Sequence, residues 1–465
     1  MKKTISRQGK TSMEKNLTIG SVRKNIFSFS LPYLLSYFLQ TLYGMADLFI
    51  TGQFNATDSI TAVSIGSQVM HMLTVMIVGL AMGATVNIGQ AVGANDRDRA
   101  AKTIGNTTVL FMMVSLALTI LLVALVRPIV SVMSTPNAAV GGTVQYLTIC
   151  FLGIPFITAY NIISSIFRGL GDSKSPMYFI AVACAANIAL DYLFIGLLGL
   201  GPAGAALGTT LSQTVSVAVA MAVILKRKTG IAVDRKCFRP QGCIMKPILA
   251  VGVPVALQDG FIQIAFILIT VIANRRGLND AAAVGIVEKV IGFLFLVPST
   301  MLSTVSALAA QNIGADKHDR AAATLRYAVA ICVVFGLSVA TAIQFAAEPV
   351  VALFDRTPAV VHAGGQYLRG YIWDCVFAGV HFCFSGYFCA YGRSGISFLH
   401  NSLSVLLVRV PGAYLMSMLF ANTLFPMGLA AAGGSLLSVI ICVIAFSWLR
   451  RRHPEWRGEE GYGQV

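Results

Sequence analysis

The sequence predicts an all-α integral membrane protein of twelve transmembrane helices, arranged as two six-helix lobes related by an internal repeat. Three observations predict it: long apolar runs, a one-sided distribution of basic residues, and identities that recur at one fixed spacing. Of 465 residues 56% are hydrophobic and 11% charged, and the mean hydropathy is +0.76. That leaves too little polar surface to cover a water-soluble globule, so lipid is part of the solvent. Apolar runs such as Val109 to Val126, Ile244 to Ala273 and Ala430 to Leu449 are long enough to cross ~30 Å of hydrocarbon as helix. A β-barrel would alternate apolar and polar residues in segments of about ten, and no such pattern is present.

Taken in order, a polar, basic tail (1–24) comes first; it lacks a short apolar core with a small-residue cleavage site, so a removable signal peptide is not expected. Helix α1 (25–51) is then the targeting signal itself. Next come α2 (59–82), a loop with Arg97, Arg99 and Lys102, and α3 (102–126). Helix α4 (143–167) is followed by Arg168 and Lys174, then α5 (177–198) and α6 (203–225). The longest polar gap, a linker at 226–246, divides an N-lobe (25–225) from a C-lobe (247–449). The C-lobe holds α7 (247–273), α8 (281–305), α9 (321–346), α10 (366–390), α11 (397–420) and α12 (428–449), and a tail (450–465) ends the chain.

The net charge of +15 raises the question of a nucleic-acid partner, and the placement of the basic residues answers it. Twenty-seven of the 34 Lys and Arg fall in the two tails and in alternate loops, five fall in the opposite loops, and Lys289 and Arg409 lie inside spans. By the positive-inside rule both termini are cytoplasmic in a multi-pass protein of the cell's inner, cytoplasmic membrane. The basic excess reads as topology and contact with anionic membrane lipids, with no nucleic-acid partner. The nine cysteines sit mostly in spans with no CxxC pair and no metal-ligand spacing, so they read as small buried hydrophobes.

Gln90, Gly93, Ala94, Asp98, Arg99 and Ala100 match Gln311, Gly314, Ala315, Asp319, Arg320 and Ala321, each displaced by 221 positions. Pro128 and Pro349, Tyr146 and Tyr367, Phe167 and Phe388, and Gly171 and Gly392 share that displacement. Six spans per copy give both copies the same membrane orientation, related by an axis along the membrane normal. Two parallel bundles leave a cleft between them, the layout of an alternating-access carrier. A channel would more naturally be built from symmetric subunits around a pore.

Five acids fall inside spans: Asp47, Asp191, Asp259, Glu288 and Asp374. A carboxylate at membrane depth costs at least ~2.5 kcal/mol on insertion scales, so each must face protein, water or a cation. Asp47 in α1 and Asp191 in α5 both fall in the outer half of outward-running helices. Tyr43 and Asn187 each precede one of them by four residues and share its helix face, and Thr209 in α6 reaches the same depth. Two carboxylates with an amide, a phenol and a hydroxyl at one level offer hard oxygen ligands, and their repulsion favours uptake of a proton or Na⁺. Pro32, fifteen residues before Asp47, removes a backbone hydrogen bond from α1 and permits a bend. Asp259, Glu288, Asp374 and Gln258 are candidates for a substrate cavity, although each carboxylate can instead bond a neighbouring helix. His71, His381 and His400 read as packed or interfacial residues.

At these residues the chain resembles the multidrug and toxic compound extrusion (MATE) family. The resemblance rests on the opening LPYLLSYFLQTLYGMADLFITGQF, on GQAVGANDRDRAA with its second-half copy AQNIGADKHDRAA, and on FRGLGDSKSPM after α4. It implies a V-shaped cleft between the lobes and export driven by antiport of H⁺ or Na⁺, with no other cofactor. It also implies an N-lobe cation site at Tyr43, Asp47, Asn187, Asp191 and Thr209, with Asp47 and Asp191 as the metal ligands if sodium is the ion, and Pro32 as the bending proline. In the family branch that binds Na⁺ in the C-lobe, a Glu in α7 and an Asp in α10 do so; here the α7 acid is Asp259 and Asp374 is about one turn displaced, so the DNA-damage-inducible branch fits better. A lipid-linked saccharide flippase of the same superfamily is the alternative. Five intramembrane acids against two bases favour small organic cations over its polyanionic cargo. No nucleophile or metal cluster marks an enzyme, and the chain is expected to act as a monomer.

Overall fold

The computed structural model describes residues 15–226, 231 and 233–453; most of the N-terminal tail, the C-terminal tail beyond 453 and part of the linker lie outside the described residues. Among the described residues the chain is helical with no strands. The twelve expected spans are present as α1 (Val22–Phe54), α2 (Thr57–Gly93), α3 (Arg97–Ala124), α4 (Asn137–Leu152 and Ile154–Gly169), α5 (Lys174–Leu197) and α6 (Gly201–Lys226), followed by α7 (Gly242–Asn274), α8 (Leu278–Gly314), α9 (His318–Ala352), α10 (Pro358–Ala390), α11 (Ser394–Leu419) and α12 (Phe425–Arg452). Ten are single helices long and apolar enough to cross a membrane, and α4 is an eleventh, bent by 48°. Helix α1 has 33 residues, about 50 Å at 1.5 Å per residue, and is not among these eleven.

Most helices begin or end beyond the sequence-based limits: α2 continues to Gly93 rather than 82, and α8 to Gly314 rather than 305. The extra turns of α2 are buried at Ala84, Val86, Ile88 and Ala91, so tertiary packing prolongs the helix past the apolar run. Helix α4 breaks at Gly153, where a Cβ would stand 2.5 Å from Thr210 Cγ2 and where Pro155 follows without an N–H to donate. Helix α8 is interrupted at Phe295, with Pro298 in the next turn, and α10 at Ile372 and Trp373. Two helices widen into a π-helical turn: α5 over Tyr192–Leu197, and α11 over Val405–Arg409, just before Pro411.

The repeat is visible in the backbone. Asn95 (φ 56°) and Asp316 (φ 58°) both turn left-handed after the matching ends of α2 and α8. Gly171 (φ 87°) and Gly392 (φ 71°) do so after α4 and α10. At all four ends an N–H reaches back five residues to close the last turn: Asp96 to Ala91, Lys317 to Asn312, Asp172 to Phe167 and Arg393 to Phe388, at 2.8 to 3.0 Å.

The chain divides into two compact units. The first comprises Leu31–Leu249 with Lys15 and Asn16, and the second comprises Leu17–Ser30 with the residues from Ala250 on. The opening turns of α1 therefore belong with the second unit, whereas the sequence places residues 25–30 in the N-lobe; the first turns of α7 belong with the first unit. In the first unit α2 packs on α4, and α5 on α6. Asn106 of α3 holds the linker, donating to Cys237 O at 3.1 Å and accepting from Gln241 N at 2.7 Å. In the second unit α10 is the hub, packed on α8, α9 and α12. Gly370 and Gly428 let α10 and α12 meet backbone to backbone, for a Cβ at Gly370 would stand 2.3 Å from Phe425 O. Arg276, at the end of α7, donates to the carbonyls of Ser417, Phe420 and Ala421 at the end of α11. Exposed Leu116, Ile120, Val334 and Phe345 form the kind of apolar exterior that lipid covers.

Candidate functional site

In the first unit three helices bring four of the predicted side chains together. Asp47 projects from α1 and is 3% exposed, Asn187 and Asp191 project from α5 and are fully buried, and Thr209 of α6 is 9% exposed. The Thr209 hydroxyl donates to Asp47 Oδ2 at 3.0 Å. Asn187 and Asp191 lie against the Asp47 carboxyl, yet Asp47 Oδ1, both Asp191 oxygens and both atoms of the Asn187 amide have no hydrogen-bond partner. Each unsatisfied buried polar atom costs ~1–3 kcal/mol, and two facing carboxylates add repulsion. A shared proton or a small hard cation relieves both, and four of these five free atoms are oxygens of the type Na⁺ takes. Among the described residues no group of three or more His, Cys, Asp or Glu could hold a metal ion.

Two local features aim the carboxylates. The added Cβ of an alanine at 208 would stand 2.1 Å from Asp191 Oδ1, so only glycine lets the carboxylate lie against the α6 backbone. The π-helical turn starts at Tyr192, directly after Asp191, and π-turns characteristically mark functional positions. Asp47 is further fixed by Thr51, whose hydroxyl donates to the Asp47 carbonyl at 2.7 Å. Tyr146 and Cys150 of α4 lie within electrostatic reach of it, in an apolar cluster with Ile50, Val63 and Ile188. Tyr43 sits one turn earlier on α1, half-buried beside Gln40 and Gln213.

Pro32 lies inside α1, which passes through it without interruption. The Ser36 hydroxyl donates to Pro32 O at 2.9 Å. Next to it, Arg168 corrects the sequence reading: it is no loop residue but part of the last turn of α4, 8% exposed. Its guanidinium donates to Tyr33 Oη at 3.2 Å and lies 5.0 Å from that ring's centroid. Burial keeps it from contributing to the basic surface, which leaves Lys174 as the charge of that loop.

The second unit is arranged differently. Asp374 is fully buried on α10 and its Oδ2 accepts from Arg409 Nη2 at 3.0 Å. Arg409 also donates to Tyr371 Oη and lies 5.3 Å from the Phe266 ring centroid. Glu288 of α8 is half-buried and accepts from the Thr270 hydroxyl at 3.2 Å, with Arg409 within electrostatic reach. The structure therefore pairs Asp374 with Arg409, while Glu288 is held by Thr270. Asp259 stands about two turns before Phe266 on α7, half-buried and near Cys389, and Gln258 is buried with its Oε1 unpartnered. Sequence reasoning recognised Arg409 as a base inside a span but missed its role as the partner of Asp374. Its burial cost was the available signal, as it was for the acids.

The MatE family profile matches residues 32–193 and 254–415, one match in each half. Among relatives, the probable multidrug resistance protein YpnP of Bacillus subtilis is 27% identical over 403 residues, covering 86% of this chain and 90% of its own. The probable multidrug resistance protein YoeA of the same organism is 26% identical over 366 residues, covering 77% and 79%. Among solved structures, a crystal structure of MATE in the straight conformation superposes with a TM-score of 0.87 at 24% identity, covering 97% of this chain and all of the other. An outward-facing multidrug resistance MATE family transporter of the MOP superfamily gives 0.87 at 23%.

Proposed function

Since the chain belongs to the MatE family of membrane transporters, we propose that it is a secondary active antiporter that exports cationic amphiphilic compounds in exchange for H⁺ or Na⁺. The observation that carries this reading is the contrast between the two units. Asp47 and Asp191 lie together with unsatisfied oxygens and no basic partner, whereas Asp374 is neutralised by Arg409. A guanidinium held at Asp374 occupies the place of an exchangeable cation, so the coupling ion is assigned to Asp47 and Asp191, with Asn187, Thr209 and Tyr43 completing its surroundings. The relatives' names, both probable multidrug resistance proteins, support export of foreign compounds. The excess of acids over bases within the spans supports cationic cargo.

In this reading ion binding relieves the carboxylate repulsion, and its release restores it. Helix α1 carries Asp47 beyond Pro32, so a change in ion occupancy is passed to the helix where the proline lacks an N–H. Export is powered at about 2.3 kcal/mol per charge per 100 mV and about 1.4 kcal/mol per pH unit, which sustains a modest gradient of cargo per ion. The protein acts as a monomer in the cytoplasmic membrane with both termini inside. Proteoliposomes given a pH gradient and a Na⁺ gradient separately test the reading: efflux of a quaternary-ammonium dye must follow one of them. Efflux indifferent to both, or flipping of a lipid-linked saccharide instead, refutes it.

A further inference from the structure

The internal repeat places opposite charges at one backbone position. Asp172 and Arg393, displaced by 221 positions, each follow a left-handed glycine, and each donates its backbone N–H five residues back at 2.8 Å. In the first unit the Asp172 carboxylate caps α5: it accepts from Lys174 N at 2.9 Å, from Ser175 N at 3.2 Å and from the Ser175 hydroxyl at 2.6 Å. In the second unit position 393 is arginine, and no side chain caps α11. The Ser394 hydroxyl donates instead to Ala250 O of α7 at 2.9 Å, and the Ile396 N–H turns to Arg393 O. The start of α11 therefore keeps the partial positive charge of a helix N-terminus, with a guanidinium where its counterpart has a carboxylate.

This end of α11 opens into a hollow of about 520 Å³, lined by Gly392, Arg393 and Gly395 on one side and by Trp448, Arg452 and His453 at the end of α12 on the other. Arg452 lies 4.4 Å from the Trp448 ring centroid. Neither Arg393 nor Arg452 forms an ion pair with any described residue. Two guanidinium groups and a helix N-terminus thus face one space, a donor set that suits a phosphate group.

The surroundings identify what carries the phosphate. Trp448 is an exposed indole at the end of a span, and such rings mark the headgroup level of a membrane. One turn deeper stand Leu399 of α11, four residues after Gly395, and Ile444 of α12, four before Trp448; both are exposed, as is Ile440. A basic hollow at headgroup level beside an apolar face fits a phosphate that bears acyl chains, whereas a free phosphate ion gains nothing from the apolar part.

We propose that the hollow between the start of α11 and the end of α12 binds the headgroup of an anionic phospholipid, whose phosphate takes the place that the Asp172 carboxylate holds in the first half of the repeat. Arg393 and Arg452 grip the phosphate from two sides, and the acyl chains run along Leu399, Ile444 and Ile440. The same two guanidinium groups repel the choline of a zwitterionic lipid, so they select a headgroup without a cation. The site is independent of the antiporter reading; only its assignment to the cytoplasmic leaflet rests on the orientation given there.

Native mass spectrometry of the full-length protein, released from micelles that hold dioleoylphosphatidylglycerol and dioleoylphosphatidylcholine in equal amounts, tests the site. The wild type should retain phosphatidylglycerol in preference to phosphatidylcholine. Arg393→Gln and Arg452→Gln should each lower that retention about five-fold, and Lys174→Gln, in the corresponding loop of the first unit, should leave it unchanged. Arg393→Asp restores the carboxylate of the repeat: it should abolish the retention while the melting temperature without phospholipid stays level or rises, because α11 gains a cap. Inorganic phosphate in excess should not displace the lipid. Equal retention of the two lipids, undiminished retention in Arg393→Asp, or a loss in Lys174→Gln as large as in Arg452→Gln overturns the proposal. Displacement by inorganic phosphate also overturns it, making the hollow a site for the free ion, as does retention that emerges only when residues 454–465 are removed, which gives the hollow to carboxylates of the chain's own tail.

Discussion

Gly208→Ala isolates the geometry of the carboxylate pair from its chemistry, because it removes no polar atom. The new Cβ would stand 2.1 Å from Asp191 Oδ1, and ordinary contact begins at 3.4 Å, so the carboxyl must retreat by about 1.3 Å. Helix propensity moves the other way, since alanine in a helix interior gains up to ~1 kcal/mol over glycine; the variant should fold and insert normally. Displacements near 1 Å in an oriented site can cost ~10²-fold in rate, and a coupling ion needs both carboxylates within reach. Gradient-driven dye efflux from proteoliposomes should therefore fall at least 10-fold. Gly141→Ala serves as the control, because nothing lies within 4 Å of its added Cβ. If Gly208→Ala transported like the control at equal protein levels, the position of Asp191 would have no bearing on coupling.

Three further outcomes are expected. Asp47→Asn mimics a permanently neutral site, so it should abolish gradient-driven efflux while substrate binding, read by dye fluorescence, persists; full efflux would move the site to Asp259, Glu288 or Asp374. Arg409→Met strands a buried Asp374 and should destabilise the protein by about 3–5 kcal/mol, seen as a lower melting temperature in size-exclusion thermostability, and adding Asp374→Leu should recover most of it. If Arg409→Met melts like the wild type, the pair is not held as described. A cysteine at position 235 should resist impermeant maleimide applied to intact cells, and strong labelling there would invert the topology.

Much of this fold was legible because membrane solvation imposes harsh rules on sequence. Span number and the exceptional acids follow from the cost of polar groups in hydrocarbon, and the repeat from identities at one fixed displacement. The meeting of Asp47, Asn187, Asp191 and Thr209 followed from depth and helix face, since each lies at the same level of its span. What the sequence did not disclose depends on contacts between helices. Arg409 reads as an isolated base until α10 and α11 are packed together, and Gly208 is one of 43 glycines until its neighbour is known. Arg168 reads as a loop charge because the burial of the last turn of α4 comes from α1, far away in sequence. The π-turns and the break at Phe295 carry no periodic signature at all.

The exchange of helix beginnings between the two units bears on how such a chain can be divided. Leu17–Ser30 is fastened within the second unit: the Leu17 N–H donates to Gln311 Oε1 at 3.0 Å, Lys317 Nζ donates to Thr18 O at 3.1 Å, and Arg23 lies 4.6 Å from the Tyr327 ring centroid. Conversely, Ile248 near the start of α7 is fully buried among Ala81, Phe111 and Ile162 of the first unit. Cutting the gene at the linker thus yields two fragments that each carry an arm belonging to the other and lack the arm that completes themselves. Expressed apart, both halves would expose unfilled apolar seats; expressed together, they could associate only by trading those arms, as protomers do in a domain-swapped dimer.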